Sequence, residues 1–147
     1  MRKGKKGVVN ILLAEDNLGD VLLVQRALAE HDIEHELHVV RDGDEALDFV
    51  AHMGQPGGAP CPDILLLDLN LPRVSGPEVL AEFRKHPACA HTPVIAVSSS
   101  DMQKDRARMA QLGVDRYFKK PSDLAAFLQL GAVVREVIMM RETADSN

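Results

Sequence analysis

Asp63-Ile64-Leu65-Leu66-Leu67-Asp68-Leu69-Asn70-Leu71-Pro72 is the stretch that decides the fold. Its aliphatic run is short, unbroken and stopped by an acid, which is how a strand buried on both faces of a parallel sheet reads. Three other runs also end on residues that can bind a phosphate or a metal. Val9-Asn10-Ile11-Leu12-Leu13-Ala14 meets Glu15 and Asp16, Val94-Ile95-Ala96-Val97 meets Ser98, and Arg116-Tyr117-Phe118 meets Lys119, Lys120 and Pro121. In an open α/β sheet, ligands bind beyond the carboxyl ends of the strands. Acids, a hydroxyl and an ammonium should therefore meet at one edge, an arrangement suited to magnesium-dependent phosphoryl transfer onto a carboxylate.

Helical patterns separate the runs. Asn17 can cap a first helix to about residue 31, with Leu18, Val21, Leu22, Gln25 and Leu28 at helical spacing. Glu36–Val40 reads as a short strand, Asp42-Gly43 as a turn, and Ala46, Leu47 and Val50 as a second helix. After a Gly- and Pro-rich loop over residues 54–60 and the Asp68 strand, a third helix spans about Ser75 to His86. Asp101 can cap a fourth helix ending near Gly113, and Ser122 a long fifth one. The order is (βα)5 with short connections. Residues 1–8 are expected to be a flexible basic arm, 9–141 one domain and 142–147 a polar tail, with no room for a DNA-binding output domain.

The 147 residues suit one independently folding core, and 46% hydrophobic and 27% charged residues are ordinary globular values. The net charge of −5 disfavours nonspecific nucleic-acid binding and leaves proteins or cations as partners. Cys61 and Cys89 lack metal-type spacing and are expected to be reduced thiols. The basic start has no signal-peptide pattern and no run reaches membrane-span length, so a cytoplasmic protein is expected.

Asp68 at a strand end can attack phosphorus and become an acyl phosphate. Alone, an aspartate before a loop is more often a cap; the matching ends of three other strands reverse that. Glu15 and Asp16 alone would read as a solvated helix start. Together with Asp68 they make three carboxylates that a hard cation would relieve. Asp16 and Asp68 are assigned as direct Mg2+ ligands, Glu15 as a ligand through water, and Asn70 as a main-chain carbonyl ligand; Mn2+ can substitute. Lys120 can pair with Asp68 at rest and with a phosphoryl oxygen later. A cis bond at Pro121 would aim it inward, although trans is the usual state. Ser98 can donate to the phosphoryl group. Tyr117 is either a core residue or a mobile switch. His31, His35 and His38 read as solvated surface.

The last helix carries two apolar stripes. Leu124, Phe127, Leu128, Gly131, Val134 and Ile138 should pack on the sheet. Ala126, Leu130, Val133, Val137 and Met140 follow the spacing of a helix–helix seam. They are either scattered surface residues or the seam of a homodimer, and the dimer is the preferred reading.

From about Asn10 to about Ile138 the chain resembles the receiver domain of bacterial response regulators. The resemblance rests on Ile11-Leu12-Leu13-Ala14-Glu15-Asp16-Asn17, Asp63 to Pro72, Pro93 to Ser98 and Tyr117 to Pro121. It implies a flavodoxin-like, doubly wound parallel sheet of order 2-1-3-4-5. It implies that Asp68 is the phosphoacceptor, Glu15 and Asp16 the acidic pair, Ser98 the switch hydroxyl, Tyr117 the switch aromatic and Lys120 the lysine. It further implies a sensor histidine kinase as donor, catalysis limited to the domain's own phosphorylation and dephosphorylation, and a signal through the face of the fourth helix, fifth strand and fifth helix, where dimerisation would also occur. Asn17-Leu18-Gly19-Asp20, Val40-Arg41-Asp42-Gly43 and the loops before the third and fourth strands are similar to those of single-domain regulators of phytochrome kinases. Ser75-Gly76 departs from the Asp-Gly of many relatives, and Ser98 from the commoner threonine. Asn70 and Ser100 flank the path of an attacking water and are expected to tune dephosphorylation. An aspartate-nucleophile phosphatase usually carries a second acid two residues after the nucleophile, where Asn70 stands. A flavodoxin-like cofactor binder needs a Gly-, Ser- or Thr-rich phosphate loop where Glu15-Asp16 stands.

Overall fold

The computed structural model describes residues 7–99 and 103–146. Five strands form one parallel sheet: β1 (Val9–Ala14), β2 (His35–Val40), β3 (Ile64–Leu67), β4 (Val94–Ser98) and β5 (Arg116–Lys119), in the order β2-β1-β3-β4-β5. The helices are α1 (Leu18–Glu30), α2 (Gly43–His52), α3 (Gly76–Lys85), α4 (Gln103–Gln111), α5 (Leu124–Leu128) and α6 (Leu130–Ser146). Successive strand residues point to opposite faces and build two cores. Leu12, Leu65, Leu67 and Phe83 pack on one face with residues of α2, α3 and α4. Ile11, Leu13, Ile64, Leu66, Phe127 and Val134 pack on the other with α1, α5 and α6. The expected (βα)5 order and doubly wound sheet are both present.

Register positions the site. Ala14 pairs with Leu67, Leu67 with Ala96, and Ser98 with Lys119. Glu15, Asp68, Ser98 and Lys120 consequently emerge at one edge. The amide of Asp68 donates to Ala14 O (2.9 Å) and that of Lys120 to Ser98 O (2.8 Å), which ties each functional residue to its neighbouring strand.

Several details differ from the sequence reading. The fifth helix is interrupted at Gln129 and is capped by Asp123, whose carboxylate accepts from the Ala126 amide. A side chain from a distant segment meets the helix at the break. His31 Nε2 donates to the Leu128 carbonyl (3.1 Å), while the Ala132 amide turns to Gln129 O (3.0 Å). His31 is thus structural and not a solvated surface residue. At Gly131 a Cβ would lie 2.3 Å from Ala27 O, so only glycine lets α6 approach α1 this closely. The homodimer seam also changes: Leu130 and Val137 are buried in the protomer's own core, on the same helix face as Val134. Val133 is half-buried, and Met139 and Met140 are exposed.

Cys61 and Cys89 form a disulfide, with Cα atoms 5.9 Å apart, and are not reduced thiols. The loop before β3 and the 3-10 turn at Pro87–Cys89 both reach the amino edge of the sheet, where the Leu65 amide donates to Pro93 O. That adjacency joins residues 28 apart in sequence. There are no cis peptide bonds among the described residues, so Lys120–Pro121 is trans. Trans is the lower-energy state, and Lys120 reaches Asp68 without the alternative. The backbone of α6 continues to Ser146, through most of the expected tail. Ser100, Asp101 and residues 1–6 of the arm lie outside the described residues.

Candidate functional site

Asp68 sits just past β3 with 5% of its surface exposed. Its Oδ1 accepts from the Asn70 amide (2.9 Å), which fixes the carboxylate in a tight turn. The loop behind it is pinned at two points. The Gly43 amide donates to Pro72 O (3.0 Å) and the Gly76 amide to Leu69 O (3.2 Å). A Cβ at Gly76 would stand 2.8 Å from Asp68 O, so glycine is what lets α3 start directly behind Asp68. Ser75 caps α3 by accepting from the Glu78 amide, and thereby fills the capping role of the aspartate more common there.

Three carboxylates converge. One oxygen each of Glu15, Asp16 and Asp68 lies within 4.8 Å of the others. Glu15 is 1% exposed, whereas Asp16 faces solvent. Glu15 Oε1 is buried and receives no hydrogen bond; the Lys120 ammonium lies 2.7 Å away, at ion-pair distance but off a hydrogen-bond angle. Hard oxygens, one of them buried without a hydrogen bond and one residue open to water, fit a hard divalent cation that keeps part of its hydration shell. Burial pushes the Glu15 carboxyl up to about 7; Lys120 draws it down, and the hydrogen bond and charge of Asp68 add to the rise.

Lys120 Nζ lies 3.2 Å from Asp68 Oδ2 and 2.8 Å from Asp20 Oδ2. Burial alone would lower its pKa; the carboxylates of Asp20, Glu15 and Asp68 outweigh that and hold it above the ordinary lysine range. Asp20 was not singled out as a site residue in the sequence. The available signal was its position in the first turn of a helix capped by Asn17, directly above the end of β1.

Ser98 is fully buried, and its Oγ accepts from Asn70 Nδ2 (3.2 Å). Asn70 therefore links Asp68 and Ser98, its backbone amide on the first and its side chain on the second. Tyr117 is half-buried against the core beside α4, with the Arg106 guanidinium 4.7 Å above its ring. It is a core residue on one side and a cation–π partner on the other. The structure brings together Glu15, Asp16, Asp68, Asn70, Ser98 and Lys120, and Tyr117 lies opposite Ala96, two register positions before the Ser98–Lys119 pair.

An acidic triad, a paired lysine and a linked hydroxyl at the carboxyl edge of a 2-1-3-4-5 sheet define a receiver architecture. Residues 11–130 match the family model of the response regulator receiver domain, and the chain belongs to that family. Response regulator Rcp1 of Synechocystis sp. is 40% identical over 114 residues, covering 78% of each chain. The phosphorylated cyanobacterial phytochrome response regulator RcpA superposes with a TM-score of 0.80 at 37% identity, over 89% of this chain and 94% of that one. The Mn(2+)-bound form of Rcp1 superposes at 0.76 with 35% identity, over 86% and 91%. Receiver domains of response regulators are signalling switches that partner with sensor histidine kinases. No helix among the described residues is long and apolar enough to cross a membrane.

Proposed function

We propose that the protein accepts a phosphoryl group on Asp68 from the phosphohistidine of a sensor histidine kinase. The observation that carries this is the Asp68 environment: a nearly buried carboxylate with an ammonium at 3.2 Å and two further carboxylates within metal-sharing distance. A carboxylate oxygen of Asp68 attacks phosphorus; the new O–P bond forms as the N–P bond to the donor histidine breaks. Asp16 and Asp68 would hold Mg2+ directly, Glu15 through water and Asn70 through its carbonyl. The cation would supply charge neutralisation for the phosphoryl oxygens. Lys120 supplies a second positive charge beside Asp68, and Ser98 Oγ, oriented by Asn70, supplies a hydroxyl for a phosphoryl oxygen. Hydrolysis of the acyl phosphate at the same site resets the switch.

Drawing Ser98 toward the new group disturbs β4, and Tyr117 moves inward from its stack on Arg106. The face of α4, β5 and the α5–α6 helix changes shape as a two-state element. The likeness to RcpA and Rcp1 supports a phytochrome kinase as donor. A second copy of this chain is the partner read for the exposed side of α6 around Val133 and Met140. The test is incubation with acetyl phosphate and Mg2+, followed by intact mass. Wild type should gain one phosphoryl group only when Mg2+ is present, and Asp68→Asn should gain none. Labelling that is unchanged in Asp68→Asn would remove the proposal.

A further inference from the structure

Lys120 has a partner that the phosphoryl-transfer scheme does not use. An ammonium carries three N–H groups. Three carboxylates surround this one, Glu15 at 2.7 Å, Asp20 at 2.8 Å and Asp68 at 3.2 Å, and the nucleophile is the most distant. Its hydrogen bonds go to Asp20 and Asp68, with Glu15 as an ion pair, so a phosphoryl oxygen that engages Lys120 competes with these carboxylates for the ammonium. Glu15 and Asp68 belong to the cluster suited to a cation, and a bound cation would draw on their charge; Asp20 stands outside that cluster. Asp20 therefore keeps its full pull on the ammonium when the site is charged. It is also held in place: its amide donates to Asn17 Oδ1 (3.0 Å) within the first turn of α1.

We propose that Asp20 is a positioning residue that holds Lys120 toward α1 in the resting protein, and that phosphorylation requires the ammonium to pass from Asp20 to the phosphoryl group. This rests on the reading of Asp68 as phosphoacceptor. The pair opposes the phosphorylated state, since the ammonium cannot bond both partners with equal strength. It also gives α1 a direct link to the chemistry: the Asp20–Lys120 contact joins residues 100 apart in sequence.

The experiment uses beryllofluoride, a stable phosphoryl analogue, with saturating Mg2+. Affinity is read by calorimetry, and the Lys120 ε-carbon resonance by NMR of lysine-labelled protein. Asp20→Asn should bind the analogue about five-fold more tightly, the scale of losing one partly exposed ion pair. In the resting protein it should already shift the Lys120 resonance toward its position in the wild-type complex. Asp20→Glu should restore both values. Unchanged or weaker affinity in Asp20→Asn would overturn the proposal. Tighter binding with an unmoved Lys120 resonance would overturn it too, because Asp20 would then act only as a distant charge. A wild type that binds no beryllofluoride contradicts the phosphoacceptor reading itself, which is a separate and visible failure.

Discussion

The two edges of the sheet treat their charges in opposite ways. At the amino edge, charged groups are matched to backbone. Asp63 accepts from the Asn10 amide and Asp115 from the Val94 amide, both at 2.8 Å. Arg84 donates to Thr92 O (2.6 Å), Cys89 O (3.0 Å) and Gly113 O (2.8 Å), and the Cys61–Cys89 bond closes the same region. At the carboxyl edge, Glu15, Asp20 and Asp68 share the single ammonium of Lys120, and Asp16 adds a further charge. The amino-edge charges are half-buried or exposed, and their hydrogen bonds to backbone support the fold. Buried charge left in excess is destabilising and awaits a cation or an anionic group to rearrange it.

This contrast yields a series of tests. Cys61→Ser removes a cross-link over 28 residues and should cost about 3.5 kcal/mol of unfolding free energy by loop entropy, with phosphorylation intact. Denaturant melts with and without reductant check it; an unaltered midpoint would mean that the bond does not support the amino edge. Arg84→Ala strips four carbonyls of a charged donor and should cost about 2 kcal/mol, again without loss of phosphoryl uptake.

The carboxyl edge should behave in reverse. With its carboxyl raised from 4.5 to about 7, Glu15 holds more protons in the folded protein than in the unfolded chain across that window. Metal-free protein should therefore lose stability as pH rises from about 4.5 to 7, by an amount on the order of 2 kcal/mol. Glu15→Gln should remove that slope, raise stability at pH above 7 by roughly 1 kcal/mol, and weaken Mg2+ binding. Thermal melts across pH with and without Mg2+ read all three; a Glu15→Gln variant that is less stable and binds Mg2+ normally would place Glu15 with the structural charges. The smallest change in stability is expected for Val133→Glu, half-buried on α6. It should convert a dimer to a monomer in light scattering, and an identical mass for both proteins would remove the dimer.

The carboxyl edge was the more legible of the two. Strand positions followed from aliphatic runs, and each run ended on a residue whose chemistry was informative by type. What escaped the sequence depended on contacts between distant segments. The break at Gln129 needs His31, 97 residues from Leu128, to take a helix carbonyl. Leu130 and Val137 join Val134 in the protomer's core, so the buried face of α6 is wider than one stripe of the periodic pattern. The disulfide needs two loops to meet at the amino edge. Asp20 looked like an ordinary first-turn acid, and only the reach of Lys120 across the sheet end gives it another role.

The claim on which the rest depends is that phosphorylation falls on one carboxylate. Borohydride reduction of the acetyl phosphate-treated protein converts an aspartyl phosphate to homoserine, and peptide sequencing by mass spectrometry locates it. Homoserine at position 68 alone is the expected result. Homoserine at Asp16 or Asp20, or none at any position despite phosphoryl uptake, would contradict the account.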